Sequence, residues 1–164
     1  MIILGIDPGT ARMGYGVLHI EKDTKAKILE VDTLITHQDL PMPKRLKFIH
    51  DHLRDIVTKY SPDIMVIEKL FFNTNVKTAI AVGQARGVAL LASADIDMKL
   101  FEYTALEAKK SLTGYGRASK SEMQEIVKEM LELDKIIKSD DANDGVAMAL
   151  CFIKKDLEQL WSDY

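Results

Sequence analysis

Apolar residues along this chain fall into short blocks that alternate between two periodicities. Ile2, Ile3, Leu4 and Ile6 form a run that stops at Asp7-Pro8-Gly9, the pattern of a buried strand meeting a turn. Residues 15–20 and 27–35 are rich in β-branched and apolar side chains, and the polar stretch 21–25 between them suits a hairpin connection. After Pro41 and Pro43, Leu46, Ile49, Leu53, Ile56 and Val57 recur at steps of three and four, which predicts an amphipathic helix ended by Ser61-Pro62. Ile64 to Ile67 make a second buried run that again closes on a carboxylate, Glu68. A helix from about Val76 to Ala94 is so rich in alanine and glycine that close approach of another backbone is expected. A short strand from Leu100 to Tyr103 leads to Thr104, placed to cap a helix through Lys110. Beyond the loop Gly114-Tyr115-Gly116, Ser119 and Glu122 have the spacing of a capping box. The last helix is predicted to begin near Ser139 or Asp140 and to run on with Ala142, Val146, Leu150, Ile153, Leu157 and Leu160 on one stripe. Asp141, Asp144, Met148 and Cys151 share a second stripe. Three strands, then helix, strand, helix, strand and further helices predict an α/β fold whose sheet joins an antiparallel hairpin to parallel additions.

At 164 residues and 47% hydrophobic, the chain is sized for one domain spanning 1–164. The opening apolar run has no cationic segment before it and is cut by Asp7, so neither a signal peptide nor a membrane helix is expected. The single cysteine, Cys151, has no ligand-like neighbours and reads as a core residue of a cytoplasmic protein. A net charge of −3 argues against phosphate binding until it is mapped. Residues 69–128 carry nine basic and six acidic side chains, whereas residues 129–164 carry four and nine. The middle of the chain is basic, and acids that hold metal would be neutralised on binding.

Those acids are the main chemical signal. Asp7 and Glu68 end two buried strands, and Asp141 and Asp144 stand three apart at the start of a helix, on one face. Taken singly, each has a structural explanation, as a turn residue, a strand-end charge or a partner of the helix dipole. Taken together, they form an oxygen-only donor set at the carboxyl ends of strands, where α/β sheets gather ligands. Such a set suits Mg²⁺, two ions per site with Asp7 shared between them, or Mn²⁺ in its place, activating water against a phosphodiester. Lys109, Lys110, Arg117 and Lys120 bracket the glycine loop and can meet phosphates, while Phe71 or Phe72 beside Glu68 can stack on an unpaired base.

Gly5-Ile6-Asp7-Pro8-Gly9-Thr10, Gly14-Tyr15-Gly16, Val66-Ile67-Glu68 with Phe71-Phe72, Gly83-Gln84-Ala85-Arg86-Gly87, Phe101-Glu102-Tyr103 and Asp141-Ala142-Asn143-Asp144 resemble, in order, the motifs of RuvC Holliday-junction resolvases. The resemblance spans nearly the whole chain. It implies a ribonuclease H-like fold with a mixed five-stranded sheet, and a homodimer that nicks opposed strands of a four-way DNA junction. It also implies that Asp7, Glu68, Asp141 and Asp144 bind the catalytic metal, that Lys109 and Lys120 lie near the scissile DNA, and that Phe71 stacks at the junction. A branch-migration motor such as RuvAB is the partner it implies. Asn143 and Gly145 depart from the alanines more usual in the family, and a helical glycine costs about 1 kcal/mol.

Three other readings stay open on the residues alone. Another ribonuclease H-like nuclease would use the same acids on a different nucleic acid. The Asp7-Pro8-Gly9-Thr10 turn also resembles the phosphate loop of actin-like ATPases and sugar kinases, although these need two such lobes. The third is a catalytically silent DNA-binding domain. The 76–94 helix is the expected dimer contact.

Overall fold

The computed structural model describes residues 1–70, 76–94 and 96–162. Phe71 and Phe72 lie outside the described residues. The strands are β1 (Ile2–Asp7), β2 (Arg12–His19), β3 (Lys27–Ile35), β4 (Ile64–Glu68) and β5 (Lys99–Tyr103). The helices are α1 (Met42–Tyr60), α2 (Val76–Ala94), α3 (Ala105–Thr113), α4 (Lys120–Met130), α5 (Asp140–Lys155) and α6 (Leu157–Ser162).

The five strands form one mixed sheet in the order β3-β2-β1-β4-β5. The β1–β2 and β2–β3 pairs are antiparallel, and the β1–β4 and β4–β5 pairs are parallel. Side chains alternate between its faces, as the pleat requires. Leu4, Ile6, Met65 and Ile67 pack under α1 and α2 with Leu53, Ile56, Ala85 and Ala89. Ile3, Ile64, Val66 and Tyr103 pack on the other side with α3, α4 and α5, around Leu112, Val127, Phe152 and Cys151. Buried on both faces, β1 and β4 therefore read as apolar runs, as interior parallel strands do.

The position of α5 is set by glycine. A Cβ on Gly5 would stand 2.1 Å from the Gly145 carbonyl oxygen, and one on Gly14 would stand 1.7 Å from the Asp141 carbonyl oxygen. One on Gly16 would stand 2.3 Å from Cγ2 of Val146. Glycines on β1 and β2 thus let the helix lie against the bare strands. Gly145 completes the contact from the helix side, since a Cβ there would be 2.8 Å from Cα of Tyr15. Its propensity cost is the cost of this approach.

Three boundaries differ from expectation by more than one residue. Strand β2 starts at Arg12, three residues before Tyr15, because Gly14 pairs with Asp7 of β1 while Arg12 and Met13 pair with Ile35 and Leu34 of β3. Helix α3 runs on to Thr113 and ends where Gly114 takes φ +89°. The last helix is two: α5 stops at Lys155, and Asp156, whose carboxylate accepts the Tyr103 hydroxyl, separates it from α6. Both expected caps form, with reciprocal bonds between Thr104 and Glu107 and between Ser119 and Glu122. Among the described residues no helix is long and apolar enough to cross a membrane.

Close packing of α2 is only half met. Ala85, Ala89 and Ala92 are fully buried against the core, but a Cβ on Gly83 or Gly87 would meet nothing within 4 Å.

Candidate active site

Two adjacent parallel strands bring the first pair of acids together. Ile6 and Ile67 are partners in the β1–β4 ladder, so the next residues, Asp7 and Glu68, leave the sheet side by side. Ile6 and Ile67 face α1 and α2, so by alternation both carboxyls turn toward α5. The N-terminus of α5 is held there from three directions: Gly14 lies under Asp141, Ser139 accepts the amide of Ala142, and the Ser139 hydroxyl meets Thr33 of β3 at 2.6 Å. Asp141 and Asp144 thereby face the strand ends, where the positive end of the helix dipole favours acids.

The acids disturb one another. Asp7 is pushed up to about 8, first by burial and then by the charges of Glu68, Asp144 and Asp141. A hydrogen bond between Asp7 and Glu68 keeps the proton on Asp7, and burial raises Glu68 as well. Asp144 is raised to about 6 by burial and by the charges of Glu68 and Asp140. Desolvated carboxyls that repel one another lack positive charge, and hard oxygen donors in that state fit a divalent cation. The fit requires rearrangement: among the described residues no three such side chains stand ready around one ion. Asp7 is bonded to Glu68, and the carboxylate of Asp141 is taken by Arg12, whose Nε lies 2.6 Å from Oδ2.

A pH dependence follows. Asp7 and Asp144 hold protons in the folded chain at pH values where the unfolded chain has released them. In EDTA the native state should therefore be most stable near pH 4 and lose stability as pH rises toward 8. A fall in Tm of roughly 5–10 °C between pH 5 and pH 8 is expected for a chain of this size. A Tm that is flat or rising over that range would contradict it.

The family profile described as "Crossover junction endodeoxyribonuclease RuvC" matches residues 3–152. The chain belongs to the RuvC family. A RuvC protein of Alkaliphilus oremlandii is 50% identical over 151 residues, covering 92% of each sequence. The Thermus thermophilus RuvC solved in complex with a Holliday junction substrate superposes with a TM-score of 0.88 at 28% identity, over 94% of this chain and 93% of that one. The yeast mitochondrial Holliday junction resolvase shares the fold, with a TM-score of 0.64 at 16% identity over 93% of this chain and 78% of that one. The sheet and its flanking helices make the RuvC-family fold of this chain ribonuclease H-like.

Of the basic residues expected at the DNA, Lys120 lies beside the start of α5, where it pairs with Asp140, an acid outside the four. Its Nζ lies 2.7 Å from Oδ2 of Asp140, and it also feels the charges of Asp144 and Asp141. Lys109 is half-buried on α3, and Lys110 and Arg117 are exposed. No ion pair among the described residues joins these three to the acids. Arg12 was not expected at this RuvC site. Its partner is 129 positions away, and the one local signal is a basic residue two places past the turn that follows Asp7. Asn143 is buried, and its Oδ1 has no partner among the described residues, which nothing in the structure explains.

Proposed function

We propose that this chain is a Holliday-junction resolvase, with 1–164 acting as a single nuclease domain that nicks two opposed strands of a four-way DNA junction. The observation that carries the site is the group of buried, mutually repelling carboxyls at the ends of β1 and β4 and the start of α5. Asp7, Glu68, Asp141 and Asp144 would hold Mg²⁺, two ions per site, with Mn²⁺ able to replace it. Bound there, the cation supplies the Lewis-acid charge that activates water and stabilises the leaving oxygen of a phosphodiester. The protein's own part is to hold that charge at a fixed place and to give up the proton shared by Asp7 and Glu68. Lys109, Lys110, Arg117 and Lys120 are assigned to phosphate contacts, with Lys120 set nearest the acids. Phe71 and Phe72 are assigned to base stacking. The lone buried Cys151 fits a reducing cytoplasm.

The decisive test compares a labelled synthetic four-way junction with a linear duplex of the same sequence, in Mg²⁺ or EDTA. Paired symmetric nicks confined to the junction with Mg²⁺ support the proposal. Failure to cut several junction sequences would overturn it and make RNA–DNA hybrids the next substrate.

A homodimer is proposed through α2. Ile80 and Leu91 are more than half exposed, and Gly83 and Gly87 between them leave room for a second backbone. Two active sites in one dimer would reach opposed strands together, and a branch-migration motor such as RuvAB would present the junction. Gly83→Leu should shift the mass in light scattering from dimer to monomer at micromolar concentration. A wild-type chain already monomeric there would overturn this assignment.

A further inference from the structure

We infer that Arg12 is a built-in counter-ion for Asp141, one that a divalent cation must displace to load the site. The inference rests on the metal site proposed above. Arg12 opens β2 on the same face as Gly14 and Gly16, since Met13 between them is buried under α1 and α2. That face is the one on which the first turn of α5 lies, with the Asp141 backbone against Gly14. The guanidinium reaches Oδ2 of Asp141 at 2.6 Å, the length of a strong charge-assisted bond.

The consequence is visible in how the four acids are disposed. Asp7, Glu68 and Asp144 are raised by burial, with like charge adding at Asp7 and Asp144, whereas Asp141 is turned to a cation supplied by the chain itself. A competitor for this carboxylate must bring more positive charge than the single one of the guanidinium. A divalent ion does so.

Two features make the exchange feasible. The Arg12 side chain is 51% exposed and that of Asp141 29%, so the bond lies at the rim and costs little to break. Beside Arg12 is an open cleft of about 460 Å³ lined by Gly9, Thr10, Lys77 and Ala81, among others, which gives a released guanidinium room. The pair therefore does two things in the free protein. It neutralises one of four crowded acids before metal arrives, and it sets a threshold for metal uptake.

Mn²⁺ alone is the probe, with its binding to the full chain followed by calorimetry and by electron paramagnetic resonance of the free ion. Arg12→Gln should bind Mn²⁺ about three- to tenfold more tightly than wild type, because the competitor for the Asp141 carboxylate is gone. Its Tm in EDTA should fall while its Tm in saturating Mn²⁺ does not. Arg12→Lys, which keeps the charge and can still pair, should remain within about twofold of wild type. In the Asp141→Asn background, Arg12→Gln should tighten binding by less than about twofold, since the competition runs through that carboxylate. Unchanged or weaker Mn²⁺ binding by Arg12→Gln, or equal tightening with Asp141→Asn present, overturns the inference while leaving the metal site standing. A wild-type chain that takes up no Mn²⁺ overturns the metal site and this inference together.

Discussion

Asp7→Asn should lower junction cleavage by about 10³-fold or more while leaving junction binding within a fewfold of wild type. Asp7 is the acid on which the others act: burial and the charges of Glu68, Asp144 and Asp141 all push its proton affinity up. Asparagine keeps the shape and removes both the anion and the repulsion. The variant should therefore melt no lower than wild type in EDTA at pH 8, where the wild-type carboxyl is forced to ionise. It should also show little of the rise in Tm that is expected of the wild type in Mg²⁺. Cleavage at the wild-type rate by a folded Asp7→Asn would place the chemistry elsewhere. Loss of cutting together with loss of junction binding would instead mean that Asp7 supports the DNA surface, since phosphate contacts by basic residues should not weaken when one negative charge is removed.

The second large effect is expected far from any reacting atom. Gly14→Ala places a methyl group 1.7 Å from the carbonyl oxygen of Asp141, and backbone on both sides leaves no flexible side chain to yield. Helix α5 must lift from β2. Overpacking of this kind costs about 3 kcal/mol, or roughly 6–12 °C in Tm. Because Asp141 and Asp144 ride on the displaced turn, cleavage should fall by roughly 10²-fold even at temperatures where the variant is fully folded. Glu129→Ala on the exposed face of α4 is the matched control, a surface change expected to stay within about 0.5 kcal/mol of wild type. The pair is measured by thermal melts in EDTA alongside single-turnover cleavage. A Gly14→Ala protein with normal stability and normal cutting would mean that α5 is not held by this contact.

Much of the molecule is legible in its sequence. The runs ending at Asp7 and Glu68, the amphipathic helix after Pro43, the cap at Thr104 and the capping box of Ser119 and Glu122 are local patterns, and local hydrogen bonding and periodicity suffice to form them. Sequence pattern alone placed β3 and α2 at their observed limits. It did less well where a boundary depends on a distant partner. The early start of β2 comes from pairing of Arg12 and Met13 with β3 and of Gly14 with β1, and at the break before α6 Asp156 accepts a hydroxyl from β5.

The same division runs through the site. The sequence by itself determined which carboxyls are candidates, because strand ends and the first turn of a helix are local features, and its family motifs named the reaction class. Only the tertiary structure decided that the β1–β4 register sets Asp7 beside Glu68, and that glycines let α5 descend far enough to bring Asp141 and Asp144 to them. It also decided that Arg12 occupies Asp141. Proton affinities near 8 for Asp7 and near 6 for Asp144 arise from burial and mutual charge. Those quantities depend on distance through space and on excluded water, which no spacing along a chain encodes.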